Sequence, residues 1–548
     1  MAELITTDVL VIGAGGAGLR AAIEAKNQGA EVLIVTKEYL GGAHTSMAMG
    51  GINVAIKAPA TPELHFKDTI EGGWRINNYK MAKIFSKEMP ARIYDLEKYG
   101  VKFDRLPDGS FYTWAGGKQT APLNLCAGDY TGREMMQSLV AEVKRLDIPY
   151  LDDWFVTQVF SDKGRVIGAY LIDLKSKKQV IVNSKVTIIA TGGGGVLYLV
   201  NTNAPSNTGE GYAWGLDAGA KLVDMEMVQF HPTGIAYPLK KKGRLITEKV
   251  RGLGGILKNK HGERFMAKYQ PKRLELAGRD EVSRAIYQEV AEGRGTKYGG
   301  VYLDVTHWEK DEVKKVIPDV FATHMEEGID IRIELMQVSP SMHHMMGGIN
   351  INEWGESDVK GLMAVGEVTR NIHGANRLGG NSIAEGQVFG RRTGLRSAQL
   401  AKKQKLVPIP TKLIKQAEAN LNSLLGKKSG VLAKELIKKL QIIMWDNVGL
   451  IRDEKRLKKA EKDIKQLFKQ VKNLRARNRK ELREALESKE MLKTALAIVV
   501  AALVRKESRG AHYRTDYPEM NPKWKKNIVV YKDSTGNLKT KTVPVVRA

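Results

Sequence analysis

The sequence predicts an α/β protein in which a nucleotide-binding domain is interrupted by a mixed insert and followed by a helical region and a short C-terminal segment. Three observations predict it. The chain opens with the order strand, glycine turn, helix, strand; glycine-rich segments of similar character stop at about position 231 and resume only after position 344; and a long helix-periodic stretch precedes a final run of strand-forming residues.

Taken in order, "TDVLVI" is a short β-branched apolar run, "GAGGAG" follows at once, and "LRAAIEAKNQGA" carries the helical pattern before a second strand, "EVLIVT". This is the Rossmann-like order: Gly13 makes the tight turn, Gly15 and Gly16 let a pyrophosphate approach the backbone, and Gly18 lets helix pack on strand. The acidic residue expected about 20 positions further on is missing, because the second strand ends in Thr36 and Lys37. "WFVTQVFSDKGRVIGAYLIDLKSKKQVIV" alternates around a glycine turn and reads as antiparallel strands, and "KVTIIATGGGG" reads as another strand ending in glycines. The first domain is therefore placed at 1–230, an insert at 231–344, the return of the first domain at 345–409 with "GLMAVGE" and "HGANRLGGNS", a helical domain at 410–506 and a C-terminal segment at 507–548. Within the helical domain Ile464, Leu467, Phe468, Val471 and Leu474 recur at helix spacing.

At 548 residues the chain calls for about two to four domains. Its single cysteine, Cys126, excludes a disulfide framework, a thiolate zinc site and an iron-sulfur cluster held by this chain alone. With no export signal at "MAELITTDVLVIGAG", a reducing, cytoplasmic setting is expected. The apolar run Ala495 to Val504 is too short to span a bilayer. A formal charge of +26 raises the question of nucleic acid. Acidic residues intervene throughout the basic runs and no aromatic-basic ladder accompanies them, so the charge is read as solvated surface and no specific nucleic-acid partner is expected.

Several segments carry chemistry. "GGAHTSMAMGG" sets His44 and Thr45 in a loop of small residues ending in Gly50 and Gly51. A glycine loop exists so that a ligand can reach the backbone, and an imidazole there would obstruct the ligand unless it engaged it. "MVQFHPTG" holds His231, "LITEKVRG" holds Thr247, Glu248 and Arg251, "PSMHHMMGG" holds His343 and His344, and "HGANRLGGNS" holds Arg377. Read singly, the histidines pass for core residues, and Arg279 in "LAGRDEVSRAI" for a local ion pair with Asp280. Read together, they suit one anionic, hydrogen-bonding ligand beside a nucleotide cofactor, since arginine clamps carboxylates through paired bonds.

In these motifs the sequence resembles the flavoprotein subunits of succinate dehydrogenase and fumarate reductase, a family shared with L-aspartate oxidase. The likeness runs in order through "VIGAGGAGLRAA", "HTSMAMGG", "TGGGGVLY", "TGEG", "DMEMVQFHPTG", "LITEKVRGLGG", "GERFMAKY", "LAGRDEVSRAI", "HHMMGGI", "GLMAVGE", "HGANRLGGNS" and "ESRGAHYRTDYP". It implies a Rossmann-like FAD-binding domain interrupted by an α+β capping domain, then a helical domain and a small C-terminal domain. It implies FAD bonded covalently through His44, with Glu210, Glu367, Ser382 and Ile383 at flavin-contact positions. It implies that His231, Thr247, His343 and Arg377 hold a C4 dicarboxylate, succinate or fumarate, and that Arg279 exchanges the proton through a relay of Glu248 and Arg251. Also implied are an iron-sulfur protein subunit, with the membrane anchor reached through it, and a place on the cytoplasmic face of the membrane.

The sequence departs from the family pattern at Ala115, beside Trp114, where a phenylalanine packs on substrate; at Leu123, where an arginine is frequent; at His344 for a tyrosine; at Met49 for a glutamate; and at Glu210 for an aspartate. The rival reading within the family is L-aspartate oxidase. Against it stand His44, which those oxidases lack, and "HHMMGG", where they tend to carry cysteine before the glycines. A rival of another class, a basic nucleic-acid-binding flavoprotein without catalysis, requires the charge to gather on one face.

Overall fold

The computed structural model describes residues 2–425, 427 and 429–547. Its first domain is built on a seven-stranded sheet. Strand Glu3–Ile12 lies at the centre, parallel to Val32–Val35 on one side and to Gln179–Ile189 on the other. The helix Gly16–Asn27 crosses between the first two strands. Gly13 turns the chain at φ +115°, and a Cβ there would lie 2.3 Å from the carbonyl of Ala190. A Cβ on Gly18 would lie 2.2 Å from the carbonyl of Gly13, so Gly18 serves the packing of helix on turn and lines no ligand space.

The sequence reading separated the end of the hairpin, "QVIV", from the strand "KVTII". They are one strand, Gln179–Ile189. Its first half pairs antiparallel with Arg165–Asp173 and its last three residues pair parallel with Leu362–Ala364 on the same edge, while its other edge runs parallel to Glu3–Ile12 throughout. An apolar run buried on both faces gives no local signal of where one pairing partner replaces another.

A second, five-stranded sheet combines Leu222–Val223, Gly348–Asn350 and Thr369–Arg370 with the C-terminal hairpin Lys526–Lys532 and Leu538–Pro544. The chain end thus completes a sheet begun some three hundred residues earlier, with Leu222 opposite Val530. A third sheet, of four strands, joins Val228–Tyr237 to Met336–Met345 and, through Val301–Asp304, to Ile256–Lys258. This inserted region has its own core, including Ile246, Val250, Leu257, Val282, Ile286 and Leu303.

The helices Thr411–Leu425, Ala433–Val448, Glu454–Val471 and Arg479–Val504 form the helical domain. Leu474 is not on the third of them. The helix stops at Val471, and Leu474 lies in a two-residue strand paired with Val431–Leu432. Its helical spacing marks a shared direction of burial, which the strand satisfies equally well. The run Ala495 to Val504 is the buried end of the last helix, and among the described residues no helix is long and apolar enough to cross a membrane.

Candidate active site

A cavity of about 840 Å³ runs between the first domain and the inserted region, at the upper end of the ordinary range for small-molecule sites. Gly13, Gly15 and Gly16 line it at the N-terminus of the helix Gly16–Asn27, where backbone N–H groups and the helix dipole favour an anion. The walls continue through Thr36, Lys37, His44, Thr45, Gly50, Gly51, Glu210, Glu367, Ser382 and Ile383. Thr45 ties its loop to the phosphate turn, its Oγ1 accepting from the N–H of Gly16 at 3.2 Å.

Lys37, where the second strand ends, meets acids brought from elsewhere in the chain. Lys37 forms ion pairs with Glu210 and, at 2.9 Å, with Glu487 of the helical domain, and it donates to Thr208 Oγ1 at 2.6 Å. Burial opposes the charge on Lys37, but the two carboxylates outweigh it and hold its pKa above the ordinary lysine value. Lys37 thereby fixes the Glu210 carboxylate at the cavity wall, opposite the end of the strand where sequence rules sought it.

His44 begins a short 3₁₀ turn, His44–Met47. Its Nδ1 accepts from the backbone N–H of Ala204 at 3.2 Å, which leaves Nε2 for the cavity. Burial, aided by Arg377 and opposed by Glu367, lowers its pKa, so the ring is neutral and nucleophilic at neutral pH.

At the inner end the dicarboxylate candidates meet. Arg279 opens the helix Arg279–Ala291 and clasps one oxygen of Glu248, with Nε at 2.8 Å and Nη2 at 2.6 Å from Oε2. The local pair with Asp280 does not form. Asp280 instead accepts from Trp74 Nε1 at 3.1 Å and pairs with Arg284 at 3.4 Å. The other oxygen of Glu248 accepts from the N–H of Gly117 at 2.7 Å. Arg251 does not line the cavity; fully buried, it lies behind Glu248 at 3.9 Å and donates to the carbonyl of Glu275 at 2.5 Å. His231, Thr247, His343 and Arg377 all face the cavity. The rings of His231 and His343 meet edge to face at 5.0 Å, and His343 Nδ1 is 2.7 Å from Thr202 Oγ1. His231 Nε2 and Arg377 Nε are buried on residues of the cavity wall without a protein partner, so they are available to a ligand.

The electrostatics follow from this packing. Burial first, and the neighbouring guanidinium groups second, press His231, His343 and His344 well below the ordinary histidine pKa, so they act as neutral donors or acceptors. Burial and the field of Arg279 push Arg377 down to about 9. Burial opposes the charge of Glu248, but Arg279 and Arg251 outweigh it and hold it down to about 2. Arg279 and Arg251 therefore share one firmly ionised carboxylate, while Arg377, which also feels the Glu367 carboxylate, has no ion-pair partner of its own among the described residues.

Sequence reasoning missed Gln229, two residues before His231. Its Oε1 accepts from Arg279 Nη1 at 3.1 Å, and its Nε2 donates at 2.8 Å both to Asn376 Oδ1 and to the carbonyl of Arg377. Thr202 was missed too; the polar run "VNTNAPSNTGEG" after the glycines was the available signal. Trp114 lines the cavity whereas Ala115 does not, and His344, at the position of a family tyrosine, faces the Glu367 carboxylate at 3.4 Å.

A glycine-rich anion cradle at a helix N-terminus, continuous with a cationic chamber that holds the buried Arg279–Glu248 pair, fits an FAD-dependent oxidoreductase. Residues 8–383 match the FAD binding domain family and residues 437–548 match the fumarate reductase flavoprotein C-terminal family. The chain belongs to the succinate dehydrogenase and fumarate reductase flavoprotein family, and FAD is its cofactor. It is 42% identical over 537 residues to one subunit of the fumarate reductase (CoM/CoB) of Methanothermobacter marburgensis, covering 96% of this chain and 97% of that one. It is 33% identical over 569 residues to the succinate dehydrogenase flavoprotein subunit of Rickettsia bellii, covering 98% and 95%. The solved E. coli quinol fumarate reductase superposes with a TM-score of 0.95 at 31% identity, over 100% of this chain and 98% of that one.

A buried cation without a carboxylate partner costs stability and is retained for a ligand. Arg377→Met should therefore raise the melting temperature of the dicarboxylate-free protein, by the equivalent of about 1–4 kcal/mol, and abolish the further rise that malonate gives the wild type. Scanning fluorimetry with and without malonate checks both; a less stable variant that still responds to malonate contradicts this account of the chamber.

Proposed function

We propose that this flavoprotein interconverts succinate and fumarate, with FAD carried covalently on His44. The observation that carries this reading is the inner chamber: a buried Arg377 without an ion-pair partner among the described residues, unpartnered nitrogens on Arg377 and His231, and the Arg279–Glu248 pair, all on one cavity with the glycine cradle. Oxidation removes a proton from one methylene of succinate and a hydride from the next, leaving the C=C bond of fumarate; when bound, FAD supplies the hydride acceptor. Arg377, His231, Thr247 and His343 bind the two carboxylates and fix the carbon chain. Arg279 takes the proton and passes it along its hydrogen bonds to Glu248, with Arg251 behind. Two guanidinium groups sharing one carboxylate lower the cost of the transient loss of a proton from Arg279, an otherwise poor base. Fumarate reduction runs the same steps backwards.

The tether is supported by the tautomer of His44. An imidazole alkylated at Nε2 keeps only an Nδ1 lone pair, and a backbone N–H from Ala204 already points at that lone pair. With one cysteine the chain holds no thiolate cluster. Electrons are therefore exchanged through an iron-sulfur protein subunit, which would join the chain to a membrane anchor on the cytoplasmic face.

One observation favours aspartate instead. Asp129 lines the cavity with Oδ1 unpartnered, and burial pushes its pKa up to about 6. Its other oxygen accepts from the N–H of Asp319 at 3.0 Å, and Lys249 offsets its charge. In the loop that faces substrate in the family, Ala115 has no carboxylate to offer, and Lys118 is held by Glu281 at 3.2 Å and by the Trp74 ring at 4.1 Å. A site for an ammonium is not built there.

Steady-state assays of succinate and L-aspartate with an artificial acceptor should give a far higher kcat/KM for succinate; the reverse order assigns the chain to the oxidases. Arg279→Gln should lower turnover by roughly 10²- to 10⁴-fold with flavin content intact; near-normal turnover moves the proton role elsewhere. Acid-denatured protein made with its assembly partners should keep its flavin, and His44→Ser should release it on denaturation while binding it when native. Complete loss of flavin from acid-treated wild type refutes the tether.

A further inference from the structure

Between the proton relay and the dicarboxylate clamp lies a chain of buried amides that neither role uses. The loop Gly116–Gly117 gives Glu248 its backbone donor, and the turn Arg377–Gly380 carries the clamp. The two are separated by more than two hundred and fifty residues of sequence. In space both abut Glu248: Gly117 donates to its Oε1, and a Cβ on Gly379 would fall 2.6 Å from its Oε2 and 2.8 Å from Arg279 Nη2.

Gln119 stands on one side of this contact, and its Oε1 accepts from the N–H of Gly116 at 2.7 Å and from Asn124 Nδ2 at 3.0 Å. Its Nε2 donates to Asn53 Oδ1 at 3.1 Å. Asn53 carries the connection onward: its Nδ2 donates to the carbonyl of Gly379 at 2.6 Å and to Asn381 Oδ1 at 2.7 Å, and its backbone N–H donates to the carbonyl of Gly380 at 3.3 Å. Asn381 is anchored in turn by His65 Nε2 at 3.0 Å and through its own Nδ2 to Thr69 Oγ1 at 3.1 Å. His65 is fully buried and held down to about 4 by burial, so it donates as a neutral ring.

We propose that Gln119 and Asn53 are positioning residues, a hydrogen-bonded bridge that sets the Gly117 N–H against Glu248 and the Arg377 turn against Arg279, so that relay and clamp are held in one register. The argument is geometric. Both loops are glycine-rich, so their backbones have wide conformational freedom and need an external template. Gln119 and Asn53 are both nine-tenths or more buried, and a buried primary amide is costly unless its donors and acceptors are used. Here the acceptor of Gln119 is used twice and both amide hydrogens of Asn53 are used. Such a connected network favours one arrangement, because a shift of either loop breaks a bond to a buried group. Each half of the bridge has its own consequence. Loosening Gln119 frees the relay loop and slows proton transfer; loosening Asn53 frees the Arg377 turn and weakens the grip on a carboxylate.

The inference rests on the proposed dicarboxylate chemistry, and the test separates the two. Gln119→Met keeps the volume and removes every bond of the amide. It should lower kcat about 3- to 10-fold, in line with the loss of one or two hydrogen bonds, leave the affinity for malonate near that of the wild type, and raise the solvent deuterium isotope effect on kcat. Asn53→Ser should raise KM and weaken malonate binding by a similar factor, with the isotope effect unchanged. The double variant should fall short of the product of the two, because the residues share one network. If kcat and affinity fall together in both variants, in step with melting temperature, the bridge is structural only and the proposal fails; it fails too if neither variant changes either quantity. A wild type that turns over neither succinate nor fumarate refutes the substrate reading instead, and malonate titration of the flavin absorbance in Asn53→Ser still decides the bridge.

Discussion

The excess of positive charge buried at the inner end of the cavity is the constraint around which the rest of the structure is organised. Arg279 lies within the fields of both Arg251 and Arg377, and firmly ionised Glu248 pairs with Arg279 and Arg251. Charges removed from water are costly, and directed bonds and opposite charges offset part of that cost. Arg279 has both a carboxylate and the amide of Gln229, Arg251 has the Glu275 carbonyl, and Arg377 is held mainly through its backbone. The side chain of Arg377 is thus left with bonds to give.

This constraint explains why so many separate parts of the chain converge. Arg279 and Glu248 come from the inserted region, Gly117 from a loop of the first domain, and Arg377 from the return of that domain. The C-terminal region braces the assembly from outside. The N–H of Ala511 donates to the carbonyl of Ala375 at 2.8 Å, and Arg284, on the helix that begins with Arg279, donates to the carbonyl of Gly510 at 2.6 Å. The segment holding Gly510 and Ala511 is itself pinned by Glu507, buried between Arg505 at 3.0 Å and Arg509 at 2.7 Å. The "ESRGAH" motif contributes nothing to the cavity wall and holds two elements of the site together.

Outside the chamber the positive charge has a different character. Along the helix Glu454–Val471, Lys458, Lys459 and Lys465 pair with Glu454, Asp463 and Glu461 one turn away. These exposed pairs contribute little individually and describe a solvated face, in contrast to the buried guanidinium groups of the chamber. The same residue types therefore do opposite things, and the difference is the presence of water.

What the sequence determined by itself was whatever depends on neighbours along the chain. The glycine turn between strand and helix, the helical periodicity of 454–471, the loop histidine at His44 and the grouping of His231, Thr247, Arg279 and Arg377 in one place were all legible, because residue type and short spacing point to them. Tertiary structure alone decided the rest. It gave Arg279 to Glu248 and not to adjacent Asp280, brought Glu210 to Lys37 across 173 positions, made one strand of Gln179–Ile189, and took Leu474 off its helix. A buried polar group takes whichever partner the folded chain brings within about 3 Å. That distance is set by the closure of long loops and the packing of distant elements, and no local pattern records it.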